Sequence, residues 1–301
     1  WDGDAEYRSQ DYDAAQNIDW GEDFYRIDSY KCYDNISMWT QKSCLQFFNS
    51  VVTPSIMEFY PQFGVKRDVS SKPEPVLYAL RGLLSTRYTI TPNKEADAFS
   101  TENNQYGWTF DHKDETFTYF KNENELPMGF AYDEYISMTD FATIAEASRA
   151  NLLVRAIGLS DEQIALYGQN MTRVFDTADF SYAAYQQDIA HRRTQASTAF
   201  TADGSGFTAN ITLAKDNLVF FSVPYDSGFT ATVNGVETKV EKVSGGMSAV
   251  LGRAGENEII FTYHTPGLRL SGYITAGGIL VWGCYCALLW RRKKMRTEKQ
   301  K

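Results

Sequence analysis

Three acidic side chains crowd one short stretch of this chain: Asp111, Asp114 and Glu115. Carboxylates at that spacing can hold a cation or divide acid and base roles between them, and they also describe an ordinary solvated turn. Trp108, just upstream, has the flat apolar face that stacks on a sugar ring, although core packing uses the same face. Tyr225 and Asp226 form a second pairing of aromatic and carboxylate, set between Pro224 and Gly228, where the alternative is a tight turn. His112, His191 and His264 stand alone, and no His/Cys/Asp grouping has zinc spacing, so no metal site is expected. Of four cysteines, Cys32 and Cys44 lie in the part expected outside the cytoplasm, where oxidation permits a disulfide between them, whereas Cys284 and Cys286 fall in an apolar run. No G-x-S-x-G elbow is present, which removes the commonest signature of a free-standing hydrolase.

That apolar run is the strongest signal in the chain. Ser271 to Trp290 carries no charge and is followed by Arg291, Arg292, Lys293, Lys294 and Arg296. A bilayer core about 30 Å thick takes roughly 20 apolar helical residues. The basic cluster marks the cytoplasmic end, so the sequence predicts a spanning helix over 268–290, a basic cytoplasmic tail over 291–301, and a bulk that lies outside the cytoplasm. The first residues offer neither a basic, apolar leader nor an initiator Met, and the expectation is therefore the C-terminal part of a longer membrane protein. Within the helix Gly272, Ala276, Gly283 and Ala287 share one stripe with Ile279, a pattern that lets neighbouring helices approach closely.

The net charge is −9, but the tail's seven Lys/Arg and one Glu leave the other 290 residues at −15. Such acidity argues against nucleic acid as a partner. Hydrophobic content of 43% supplies a core, and 19 Tyr with 19 Phe favour β-rich structure or a surface suited to carbohydrate.

The elements read as α+β. Residues 1–22 form a polar, flexible lead-in, and 23–195 a mixed α/β region with helices towards its end. FYRIDSY from Phe24 alternates as a strand; Thr53 and Pro54 open a helix to about Gln62; Pro75 to Leu84 is helical; Ser85 to Ile90 is a strand. A hairpin is predicted around Asp111–Glu115, a strand at Met128–Tyr132, and a long helix from Thr139 through Ile157 capped by Gly158. Ser160 and Gln163 have capping-box spacing, and Phe175 to Arg193 is amphipathic. From residue 196 to 266 short alternating strands, with Asn234-Gly235 as a type I′ turn, predict an antiparallel β-sandwich.

The strings SVPYDSGFTATVNG (Ser222 to Gly235) and ENEIIFTYHTPGLRLSG, together with FYRID, RGLLSTRYTI and LPMGFAYDEYI, resemble YfhO-type bacterial membrane proteins over nearly the whole chain from Phe24. Members of that family are similar to polytopic glycosyltransferases of the GT-C type. The resemblance implies transfer of a sugar from a polyprenyl-phosphate carrier to a cell-surface polymer such as teichoic acid. It also implies upstream spanning helices that carry the carrier site and an acidic catalytic residue. This chain contains neither, so no catalytic residue and no cofactor is assigned to it; a divalent cation is left to the complete enzyme. The expected partners are the lipid bilayer, the protein's own upstream helices, the carrier-linked sugar and the polymer. The alternative reading is a noncatalytic, membrane-anchored module for carbohydrate binding or adhesion.

Overall fold

The structure is a computed structural model that describes residues 12–66, 70–103, 106–175 and 178–298. One compact unit extends to Thr262 and a second runs from Tyr263. The fold is α+β, as expected.

The first unit begins with a four-stranded sheet in the order Arg26–Ser29, Thr86–Pro92, Phe117–Asn122, Trp108–Lys113. Its first pair is parallel and the other two antiparallel. Alternation along these strands buries Ile27, Ile90, Phe117 and Tyr119 on one side. The expected lead-in is not a loose tail from residue 12 onward. Ala15 is buried against this sheet, and the Trp20 indole donates to the Thr40 carbonyl at 3.1 Å.

The expected long helix is two helices, Met138–Thr143 and Glu146–Arg155, followed by the strand Ile157–Leu159. Ile144 and Ala145 adopt extended ψ of 143° and 134° between them. The Arg149 guanidinium stabilises the break by donating to the Ile144, Ala142 and Gln62 carbonyls at 2.8–2.9 Å. Gly158 is a strand residue, not a C-cap. A Cβ there would lie 2.7 Å from Met138 Sδ and 3.1 Å from Ser244 Cα, so close packing explains the glycine. The capping box at Ser160 and Gln163 forms as read, opening the helix Asp161–Tyr167. The amphipathic stretch from Phe175 narrows to the helix Tyr182–Arg193, capped by Ser181. Thr53 precedes the helix Pro54–Phe59, but its hydroxyl makes no cap hydrogen bond.

The sandwich consists of a five-stranded sheet and a four-stranded sheet. Asn234 and Gly235, at φ 52° and 77°, make the tight turn between Phe229–Val233 and Val236–Thr238. The strand expected to return through Val243 instead divides, and Glu241–Val243 joins the other sheet. The strand Asn217–Pro224 pairs with Met247–Gly252 on one side and, on the other, with Phe130–Ala131 from the preceding region. Both its faces are buried. Val219 and Phe221 face the sandwich interior, while Leu218 and Phe220 enter the central core with Leu80, Leu83, Leu152 and Leu153. This accounts for an unbroken apolar run where the outer strands alternate.

Among its described residues the second unit has one helix, Leu268–Glu298. Its segment Leu268–Arg292, 25 residues, is long and apolar enough to cross a membrane, and none of its residues is buried within the chain. At 1.5 Å per residue it is about 37 Å long, more than a bilayer core requires. Gly272, Ala276, Gly283 and Ala287 lie along it, exposed, and a Cβ on either glycine would meet nothing within 4 Å.

Candidate functional site

The N-terminal sheet carries an aromatic cleft of about 520 Å³. The segment 17–23 forms one wall, and Tyr25, Arg87, Tyr88, His112, Asp114 and Tyr119 contribute from the strands and the hairpin. Trp20 is its centre. Its ring lies edge-on to Tyr25 at 6.4 Å and to Tyr119 at 6.1 Å, and 6.5 Å from Tyr88. The Tyr25 hydroxyl donates to the Trp20 carbonyl at 2.7 Å, which ties the entering segment to the sheet. Offset and edge-to-face contacts of this kind add about 0.5–1.5 kcal/mol each beyond their burial.

Arg87 stands over the Tyr25 ring, 4.1 Å from its centroid. It donates through Nε to Glu125 at 2.8 Å and through Nη1 to Asp23 at 3.3 Å. Burial opposes the charge on Arg87, but the two carboxylates outweigh it and raise its pKa. Glu125 is raised in turn, chiefly by burial and against the pull of Arg87. Desolvation lifts the Tyr25 phenol to about 12. Tyr119 is raised as well, by burial first and then by donating its hydroxyl to Asp114 Oδ2 at 2.7 Å. These phenols are therefore neutral hydrogen-bonding groups and apolar walls at any physiological pH.

A second groove of about 500 Å³ adjoins the cleft, sharing Asp23 and Arg87 with it. Phe24 and Phe200, ring centroids 4.9 Å apart, line it together with Glu125 and Arg193. Arg87 thus sits between two aromatic surfaces.

The residues singled out from the sequence fare unevenly. Asp114 and His112 do line the cleft, and His112 stacks flat on Tyr119 at 4.1 Å. Asp114 is committed to its own hairpin: Oδ1 accepts the Thr116 and Phe117 amides at 2.7 and 2.6 Å. Asp111 meets His112 Nδ1 at 2.6 Å, and Glu115 is exposed. The carboxylate trio is thus a hairpin device rather than a converging acid–base pair. Among the described residues no group of three His, Cys, Asp or Glu could hold a metal ion.

Trp108 is no sugar platform. It is 6% exposed and packs edge-on to Phe99 at 5.8 Å in a small core with Phe120. Tyr225 and Asp226 lie outside the cleft and form a turn: Asp226 Oδ1 accepts the Gly228 amide at 2.8 Å, and the Tyr225 backbone bonds Gly246 and Ser55. The disulfide expected between Cys32 and Cys44 is not formed. The Cys32 thiol donates instead to the Tyr30 and Ile90 carbonyls at 3.7 and 3.6 Å. Sequence reasoning does not reach Trp20, Tyr25, Arg87 and Tyr88; the available sign is Trp20, a large aromatic in a mostly polar lead-in.

The profile of the family described as bacterial membrane protein YfhO matches residues 3–183 and 175–275. An uncharacterized YfhO protein of Bacillus subtilis (strain 168) is 25% identical over 131 residues, a stretch that covers 44% of this chain and 14% of that protein. No solved structure matches.

Proposed function

Because the chain belongs to the YfhO family of bacterial membrane proteins, we propose that it is the extracytoplasmic C-terminal domain and last membrane helix of a polytopic glycosyltransferase. That enzyme moves a sugar from a polyprenyl-phosphate carrier to a cell-surface polymer such as teichoic acid. The observation that carries this reading is the cleft lined jointly by Trp20, Tyr25, Tyr88 and Arg87, with Asp23 and Asp114. Aromatic faces with neighbouring charged hydrogen-bonding groups suit a sugar, which presents apolar C–H faces and polar edges. Four carboxylates against one guanidinium line the cleft, so it favours the neutral sugar portion of an acceptor over its phosphates. The chain's role is to hold acceptor, while the chemistry belongs to upstream helices docked along Gly272, Ala276, Gly283 and Ala287. The C-terminus then lies in the cytoplasm.

Deleting the complete gene should strip sugar from surface polymers, and the wild-type gene should restore it. A Trp20→Ala/Tyr88→Ala variant loses about 1 kcal/mol per ring, or roughly thirtyfold in acceptor affinity, and should restore little decoration at low acceptor density. Full restoration by a folded variant would remove the cleft from the acceptor site. A deletion that leaves sugar content untouched would overturn the transferase.

A further inference from the structure

Arg26 is a largely buried cation with no carboxylate partner among the described residues. Nη1 donates to the Leu84 carbonyl and to Ser222 Oγ, both at 2.9 Å, and Nη2 to the Ser222 carbonyl at 2.8 Å. Every one of these acceptors is neutral. Nε meets no acceptor among the described residues, and Nη2 makes one bond there, which leaves donors for a further acceptor. The contrast with Arg81 is instructive. Asp28, two residues along the same strand as Arg26, pairs with that buried guanidinium at 2.8 Å. Burial lowers the Arg26 pKa to about 10.

Arg26 opens on a cavity of about 300 Å³ whose walls include Leu45, Val52, Ile56, Leu84 and Met247. Thr53 also lines it, and the Thr53 hydroxyl is buried with no hydrogen-bond partner among the described residues. The cavity shares no lining residue with the aromatic cleft. A lone guanidinium against an apolar wall is costly, and an oxyanion that takes two parallel N–H bonds removes that cost. The volume admits roughly twelve non-hydrogen atoms at about 25 Å³ each, a little under the share of a liquid water molecule.

We propose that this cavity is a binding site for a small amphiphilic anion, its carboxylate or phosphate monoester head on Arg26 and a chain of about eight carbons along the apolar wall. This stands independently of the sugar cleft. The test is calorimetric titration of the full chain in zwitterionic nanodiscs, with protein-free nanodiscs as the partition blank. The probes are octyl phosphate, octanoate, octanol and inorganic phosphate. At least one of the two amphiphilic anions should bind tenfold or more tighter than octanol and than inorganic phosphate, and the better of them identifies the head. Ile56→Phe, which fills the cavity and leaves Arg26 in place, should abolish that binding. Arg26→Gln should bring the anion down to the affinity of octanol. Should Arg26→Gln fail to fold, the Ile56→Phe result decides alone. Equal affinity for octanol and the anions, inorganic phosphate binding as tightly as octyl phosphate, or unchanged affinity in folded Ile56→Phe would each overturn the assignment.

Discussion

Replacing Asp28 by Ala should be among the most damaging single changes in the first unit. Asp28 and Arg81 have side-chain exposures of 4% and 1%. Arg81 donates to Asp28 Oδ2 through Nε at 2.9 Å, and its remaining donors reach the Pro73, Glu74 and Leu77 carbonyls. Asp28 Oδ1 accepts the Ser29 amide at 2.8 Å and Gln46 Nε2 at 2.9 Å. Truncating the aspartate therefore strands a buried guanidinium and two donors. Breaking a buried pair from one side costs about 3–5 kcal/mol, a large fraction of the stability of an ordinary domain. Removing both charges costs much less, because no uncompensated ion remains. The assay is a double-mutant cycle by chemical denaturation of the full chain, followed by tryptophan fluorescence: Asp28→Ala, Arg81→Met and both together. A coupling of about 2–4 kcal/mol is expected, and aromatic-cleft binding should weaken in Asp28→Ala because Tyr25 lies on the segment that Asp28 anchors. A loss below about 1 kcal/mol in Asp28→Ala, or strictly additive losses in the double variant, would refute the reasoning.

Gly82→Ala would place a Cβ 2.5 Å from Tyr185 Oη and 2.8 Å from the Asn124 carbonyl, so it should destabilise by about 1–3 kcal/mol, read as a lower denaturation midpoint. Glu241 is held below its ordinary value of 4.5: burial opposes the charge, but hydrogen bonds from Lys239, Gln163 and Tyr167 outweigh it. Its contribution is complete above pH 4.5 and is lost as the pH falls through the lowered native value, so Glu241→Gln should flatten the acid limb of the stability–pH curve. Burial pushes the Cys44 thiol from 9.0 to about 12. Alkylation at pH 8 should therefore run roughly a thousandfold slower than at a free thiol, and mass spectrometry showing rapid labelling of Cys44 would contradict that burial.

Local signals carried much of this fold. The capping box at Ser160, the Asn234-Gly235 turn, the hairpin near Asp114 and the apolar C-terminal helix each depend on residues adjacent in sequence, and each forms where read. What the sequence hid depends on partners far along the chain. The break at Ile144–Ala145 is stabilised by Arg149 reaching Gln62, and helical periodicity carries no trace of that contact. Gly158 reads as a cap until Met138 and Ser244 are seen to crowd it. The aromatic cleft was illegible for the same reason: Trp20, Tyr88 and Tyr119 come from three separate segments. Trp108 misled because stacking on a sugar and packing in a core demand the same residue.

The pairing of Phe130–Ala131 with Asn217–Pro224 sets an order of assembly. During synthesis, residues near 130 leave the ribosome long before their partner strand and must wait for it. Contacts between residues so distant in sequence close slowly. A fragment beginning near residue 196 would keep one flank of its innermost strand bare, an open template for joining other chains. Dissecting this protein at the apparent change of texture would therefore yield an aggregating piece, whereas a cut after Thr262 leaves each strand with its neighbour.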